Sequence, residues 1–191
     1  MSYTAVLDAC VLVPMPLCDT LLRLAEEPAT YRPLWSEQIL LEVGVALENK
    51  LKRNAFQRQR RLHAMRGAFP DAELDVPVGL ADTITCIPDP NDRHVVAAAV
   101  FGSADAIVTF NIRHFPPGCI QQYGVSCQTP DQFLVRQFHF APELALEKID
   151  SQAAALGQER AFITHRLRKM VPSFADLVDL GIAGADGEKR V

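Results

Sequence analysis

Val6-Leu7-Asp8-Ala9-Cys10-Val11-Leu12-Val13 sets one carboxylate inside an otherwise apolar, β-prone run near the start of the chain. A buried charge without a partner is costly, so such a residue is paired, hydrogen-bonded or bound to a metal ion. Read as a central parallel strand, the run opens at its carboxyl end onto the crevice where open α/β sheets place their ligands. Asp8 is then the first of several acids expected to meet there. The competing reading makes Asp8 the cap of a turn or helix after a short strand.

The rest of the chain bounds that reading. With 191 residues, 49% hydrophobic and 22% charged, it has material for one well-filled core and little for two. The five cysteines (Cys10, Cys18, Cys86, Cys119, Cys127) form no CxxC pair, so they signal neither a zinc site nor a disulfide framework and read as reduced. No basic leader precedes a long apolar stretch and no window is apolar for the length of a bilayer span, so a cytoplasmic protein free of the membrane is expected. A formal net charge of −4 excludes nucleic-acid binding by bulk charge but leaves room for a local basic patch.

Outward from the first run, Pro14 and Pro16 mark a turn, and Leu21, Leu22 and Ala25 have helical spacing. Leu34-Trp35-Ser36 is a short extended piece ending at an N-cap, Ser36. The helix that follows turns Ile39, Val43, Ala46 and Leu47 to one side, with Glu42 near Ile39 while Glu37 and Glu48 point away. Glu42 reads either as an acid on the core side or as a carboxylate at the edge of the stripe reaching solvent. Between Asn49 and Pro70 there is no Asp or Glu, but there are Lys50, Lys52, Arg53, Arg58, Arg60, Arg61 and Arg66. Such a segment suits phosphate neutralisation, with Arg58 and Arg61 the first candidates, or else it is a solvated helix face.

The β-branched run Thr83-Ile84-Thr85-Cys86-Ile87 reads as a strand. After it, Pro88-Asp89-Pro90-Asn91-Asp92-Arg93-His94 leads into the apolar helix Val95–Val100. A helix N-terminus favours carboxylates, yet capping needs only one of Asp89 and Asp92, which leaves the other for a metal. Arg93 or His94 is placed to fix the loop by pairing with a carboxylate, and Arg93 also stands as a contact for RNA. Ile107-Val108-Thr109-Phe110 is a further buried-type strand ending at Asn111, with Val125 and its neighbours as an edge strand. Strands alternating with helices, with polar residues at successive strand ends, predict a mostly parallel sheet with helices on both faces, a three-layer α/β/α sandwich. The expected organisation is an α/β domain over 1–140, a helical extension over 141–183 and a flexible tail over 184–191.

Taken in order, the strand bearing Asp8, the helix bearing Glu42, the segment PDPNDRHVVAAA and the segment ADAIVTFNIRHFP resemble the PIN domain family across roughly Thr4 to Phe133. The resemblance implies a metal-dependent ribonuclease, most often the toxin of a VapC-like toxin–antitoxin pair. Asp8, Glu42 and Asp92 take the positions of the family's metal-binding acids, Asn111 stands where a fourth Asp or Asn is found, and Asp89 is an accessory acid. His114 stands where relatives with this arrangement often have an Asp, which bears on a second metal site; it is read instead as a donor to RNA phosphate. The expected partners are RNA, a small DNA-binding antitoxin and a second copy of the chain.

The residue types match that chemistry. Phosphodiester hydrolysis needs an activated water and stabilised oxygen charge, which one or two Mg²⁺ or Mn²⁺ ions supply, and hard cations prefer oxygen ligands. Three carboxylates in one crevice repel one another, so at least one acid is expected to have a raised pKa. Thr109 and Ser36 are each either a group that positions water or phosphate or an ordinary strand-end or cap residue. Two other readings remain: a haloacid dehalogenase-type phosphatase, which typically carries a second Asp where this chain has Cys10, and a PIN-like module that binds or scaffolds without cutting.

Overall fold

Thr4–Leu7 (β1) is the middle of a five-stranded sheet completed by Arg32–Ser36 (β2), Glu73–Leu74 (β3), Ala106–Val108 (β4) and Ser126–Gln128 (β5). In the computed structural model, which describes residues 3–187 with side chains to 181, the order is β3-β2-β1-β4-β5. Every neighbouring pair is parallel, with Val6 in register with Leu34 on one side and Ile107 on the other. Ala5, Val6 and Leu7 are fully buried, as expected of a parallel strand covered on both faces. The expected α/β/α architecture with added C-terminal helices is what the chain forms. The tail expected over 184–191 lies, from 188 onward, outside the described residues.

The helices are Ala9–Leu12 (α1), Met15–Ala25 (α2), Glu37–Asn49 (α3), Ala55–Ala68 (α4), Leu80–Thr83 (α5), Arg93–Phe101 (α6), Pro117–Ile120 (α7), Pro130–Phe140 (α8), Pro142–Ala154 (α9), Arg160–Leu167 (α10) and Pro172–Gly187 (α11). They fall into two compact units: residues 1–13 with 32–129, and residues 14–31 with 130–191. The first holds the sheet. Its most buried helix, α6, packs across β1, β2 and β4 through Val95–Ala99. The second is helical, and α2 packs on α9 and α10. There the Thr20 hydroxyl donates to Gln152 Oε1 at 2.8 Å, Lys148 Nζ donates to the Glu26 carbonyl at 2.9 Å, and Tyr31 meets Phe133 edge-on. No helix among the described residues is long and apolar enough to cross a membrane.

Three expectations give way. The opening run is not one strand: β1 ends at Leu7, and Ala9–Leu12 coils into a helical turn closed by a Val11 N–H to Asp8 carbonyl bond of 3.1 Å. Residues 83–87 form no strand. Only Ile84 and Ile87 of that run are buried, three positions apart as in a turn, whereas a half-buried strand needs an even spacing. The segment instead opens at Gly79, in the left-handed region at φ +85°, into the single turn of α5. Finally, Cys86 and Cys119 are joined in a disulfide, while Cys10, Cys18 and Cys127 remain thiols. A separation of 33 residues matches no cysteine motif; only the fold brings the segment before α6 against α7.

Candidate active site

Parallel strands put their carboxyl ends on one edge, so the residues that follow β1 and β4 become neighbours there. Asp8 follows β1 and is 7% exposed. It sits at the N-cap position of α1, but its carboxylate makes no capping bond. Oδ2 instead accepts from the Thr109 hydroxyl at 2.5 Å and from the Cys10 thiol at 3.1 Å. The capping alternative for Asp8 therefore fails on geometry. Thr109 in turn accepts the Asn111 N–H at 3.0 Å, so one buried hydroxyl links the ends of both strands.

Glu42 lies half-exposed on α3, with Oε1 3.4 Å from His94 Nε2. That distance is within ion-pair range, but it is no hydrogen bond: Nε2 is buried with no hydrogen-bond partner. The other ring nitrogen, Nδ1, is 2.7 Å from the Asn91 carbonyl and so carries the proton. Asp89 and Asp92 divide the two roles open to them. Asp89 caps the turn Pro90–Asp92, accepting the Asn91 N–H at 2.9 Å, whereas Asp92 at the start of α6 makes no cap bond and meets His114 Nδ1 at 2.9 Å. His114 thus holds an acid instead of replacing one. Ser36 is a cap, accepting the Ile39 N–H at 3.3 Å.

The electrostatics tie the acids together. Burial raises the Glu42 carboxyl to about 7, with the charges of Asp8 and Asp92 adding to the effect. Asp92 is also raised, first by burial and then by Asp89 and Asp8, against the lowering effect of His114. His94 is lowered by burial, which keeps its imidazole neutral beside Glu42. Cys10 is pushed up to about 12 by burial and then by Asp8, so it is a thiol donor and not a nucleophile. Even so, among the described residues no three His, Cys, Asp or Glu side chains converge into a ready metal cluster. Acids that feel one another's charge without closing into a cage suit a hard cation that keeps part of its water shell, as Mg²⁺ does.

The basic candidates have partners within the protein. Arg58 pairs with Glu48, Arg61 donates to the carbonyls of Leu12 and Val13 at the end of α1, and Arg93 Nε donates to the Ile87 carbonyl at 3.3 Å. Arg53 and Arg60 are exposed. Sequence reading missed Cys10 as a partner of Asp8, hidden in an apolar run; it named His94 as able to pair with a carboxylate, but not Glu42 as the acid beside it.

The family model described as PIN domain matches residues 4–113, more than half of the chain. A Mycobacterium tuberculosis protein named "Putative ribonuclease VapC50" is 36% identical over 93 residues, 44% of this chain and 52% of that protein. The chain thus spans about half the length of this curated relative. No solved structure matches.

Proposed function

Because this chain belongs to the PIN domain family, we propose that it is a metal-dependent endoribonuclease acting as the toxin of a toxin–antitoxin pair. The observation that carries the reading is the coupling of Asp8, Glu42 and Asp92, acids from three separate elements: burial, and then the charges of Asp8 and Asp92, raise the Glu42 carboxyl to about 7. Such a group is poorly stable without a cation and well matched to one. The name of the Mycobacterium tuberculosis relative points the same way.

Asp8, Glu42 and Asp92 would hold Mg²⁺ or Mn²⁺, with Asn111 as a neutral oxygen donor and Asp89 outside the ligand set as the cap of its turn. The bound ion supplies Lewis-acid stabilisation of phosphate oxygen charge and a more acidic water. The chain's own groups do the positioning. Thr109 and Cys10 direct both of their hydrogens at Asp8 Oδ2, which fixes that carboxylate and turns its other oxygen free. His114 fixes Asp92 in the same way through Nδ1 and, whenever its ring is doubly protonated, has a second N–H to give to a phosphate oxygen. Glu42 joins them as the third carboxylate, its charge coupled to those of Asp8 and Asp92. Arg60 on α4 and Arg53 just before its Asn54 cap, both exposed, give this segment, together with Arg58 and Arg61 on the same helix as Arg60, a basic surface for the RNA backbone.

A small DNA-binding antitoxin and a second copy of the chain are the proposed protein partners, and the cytoplasm is the proposed location. The test is hydrolysis of RNA by purified protein with Mg²⁺ or Mn²⁺ and with chelator. Activity is expected only with metal and is expected to vanish in Asp8→Asn while the far-ultraviolet circular dichroism stays native. Full cleavage by Asp8→Asn would overturn the assignment.

A further inference from the structure

Beside the acids, and separate from them, the first unit holds a cavity of about 380 Å³ between the ends of β2 and β3, the first turn of α3, and the segment leading into α5. Its volume is at the lower end of ordinary small-ligand sites, roughly 300–1,000 Å³. Two kinds of surface line it. Leu74, Val76 and Ala97 give apolar walls, while Glu37, Asp75 and Asp82 supply carboxylates. No Lys or Arg lines it, so it is not built for phosphate or another anion. Val78, one of its lining residues, is fully exposed, an apolar side chain with nothing over it.

His94 connects this cavity to the acids. It lines the cavity, it is 6% exposed, its Nε2 has no hydrogen-bond partner, and the same Nε2 is 3.4 Å from Glu42. The spatial scale agrees. β1 carries Asp8 at its carboxyl end, β2 lies next to it and ends at Ser36 on the cavity wall, and β3 follows. At about 4.8 Å per strand, the cavity is roughly 5–10 Å along the edge from Asp8, a distance one nucleotide covers between its phosphate and its base.

We propose that this cavity is a base-recognition subsite that takes one unpaired guanine of the RNA strand whose phosphate lies at Asp8, Glu42 and Asp92. The proposal rests on the ribonuclease reading and gives it a substrate preference. Single-stranded RNA is read through splayed bases whose faces pack on side chains and whose edges are hydrogen-bonded. The apolar walls offer packing surface for the base. The carboxylates accept hydrogen bonds and donate none, so they select an edge rich in donors. Guanine presents two adjacent donors, N1–H and the N2 amino group, which match the two oxygens of one carboxylate. Uracil has a single ring N–H flanked by two carbonyl oxygens, and those oxygens would face the carboxylates unpaired.

The test uses the intact chain carrying Asp8→Asn and free nucleosides, which have no phosphate to be drawn to the acids. Amide signals of residues 74–76, 78–82 and Gln38 are followed by nuclear magnetic resonance as guanosine, inosine or uridine is added. Guanosine is expected to shift them saturably, with inosine weaker for want of the amino group and uridine weaker by at least about tenfold. Asp82→Asn is expected to erase the difference between guanosine and uridine. Ala81→Phe, which fills the cavity from its rim, is expected to abolish the shifts while the remaining spectrum stays native. Equal response to guanosine and uridine, or undiminished binding in Ala81→Phe, overturns the proposal. So does stronger occupancy by N-acetyl-arginine amide, which would mark the cavity as a seat for a basic side chain. The outcome is separable from the ribonuclease reading. Guanosine binding by a chain whose unmodified form cuts no RNA sinks only the activity, while metal-dependent cutting of random RNA with no guanine at a fixed distance from the cut bond sinks only the subsite.

Discussion

Replacing Glu42 by Gln should make the metal-free protein more stable at alkaline pH while removing its activity. In the folded chain the Glu42 carboxyl titrates near 7, against 4.5 for an ordinary glutamate, because of burial and then Asp8 and Asp92. The sign follows from proton linkage. Below pH 4.5 the side chain is protonated whether or not the chain is folded, and the shift has no effect. Between pH 4.5 and 7 the folded state binds more protons than the unfolded state, so stability falls as pH rises; above 7 the whole penalty is present. A shift of about 2.5 pH units corresponds to about 3.4 kcal/mol if taken at face value. The Glu42 side chain is 43% exposed, however, and solvent screening reduces this to about 1 kcal/mol. Urea unfolding at pH 8 with chelator present is expected to show Glu42→Gln more stable by that amount, with the gain gone at pH 4.5. Saturating Mg²⁺ is expected to stabilise the unmodified chain more than the variant. A Glu42→Gln protein less stable than the parent at pH 8, or a gain that persists at pH 4.5, would refute the reasoning.

Thr109→Val leaves Asp8 Oδ2 without its shortest donor in a buried setting and is expected to cost about 1–3 kcal/mol in denaturant unfolding. His114→Ala removes the group that lowers Asp92, so the acid limb of the cleavage pH profile is expected to move to higher pH, with a loss of rate much smaller than that of Asp8→Asn. The pair Cys86→Ser and Cys119→Ser opens a 33-residue loop and is expected to cost about 4 kcal/mol on the chain-entropy relation, read as a lower unfolding midpoint under non-reducing conditions. Reversing Arg60 and Arg53 to Glu is expected to weaken RNA binding and flatten its dependence on salt, measured by fluorescence anisotropy, without the loss of stability expected of Arg61→Glu, whose guanidinium closes the end of α1.

The parts of the fold that could be read in advance are those where chemistry and periodicity agree. The buried parts of β1 and β4 announce themselves as continuous apolar runs, and Ser36 as a cap before an amphipathic helix. Asp8 stood out because a carboxylate in an apolar run demands an explanation, whereas Glu42 and Asp92 each had a solvent or capping alternative and were singled out only by the family resemblance. What the sequence hid were relations across distance. Nothing local says that Thr109 reaches Asp8 across 101 positions, or that Cys86 finds Cys119. His94 reads as a residue that pairs with a carboxylate, but only the fold shows that the acid beside it is Glu42, on another helix. Arg61 and Arg58 were counted as free cations because their partners, a helix-end carbonyl and an acid ten residues away, need the turn between α3 and α4 to be known.

The placement of α2 has a consequence for how the protein is made. Its buried face, Leu17, Leu21 and Leu24, belongs to the second unit and packs on α9, which begins at Pro142. A ribosome adding about 5–20 residues per second reaches α9 roughly 6–25 seconds after it finishes α2 at Ala25. For that interval α2 is an amphipathic helix without its partner, while the sheet from β1 to β5 is completed. Synthesis stopped at residue 129 would leave that apolar face uncovered for good, so a shortened chain ending with the sheet is expected to aggregate or recruit a chaperone, although every strand and all three acids are present.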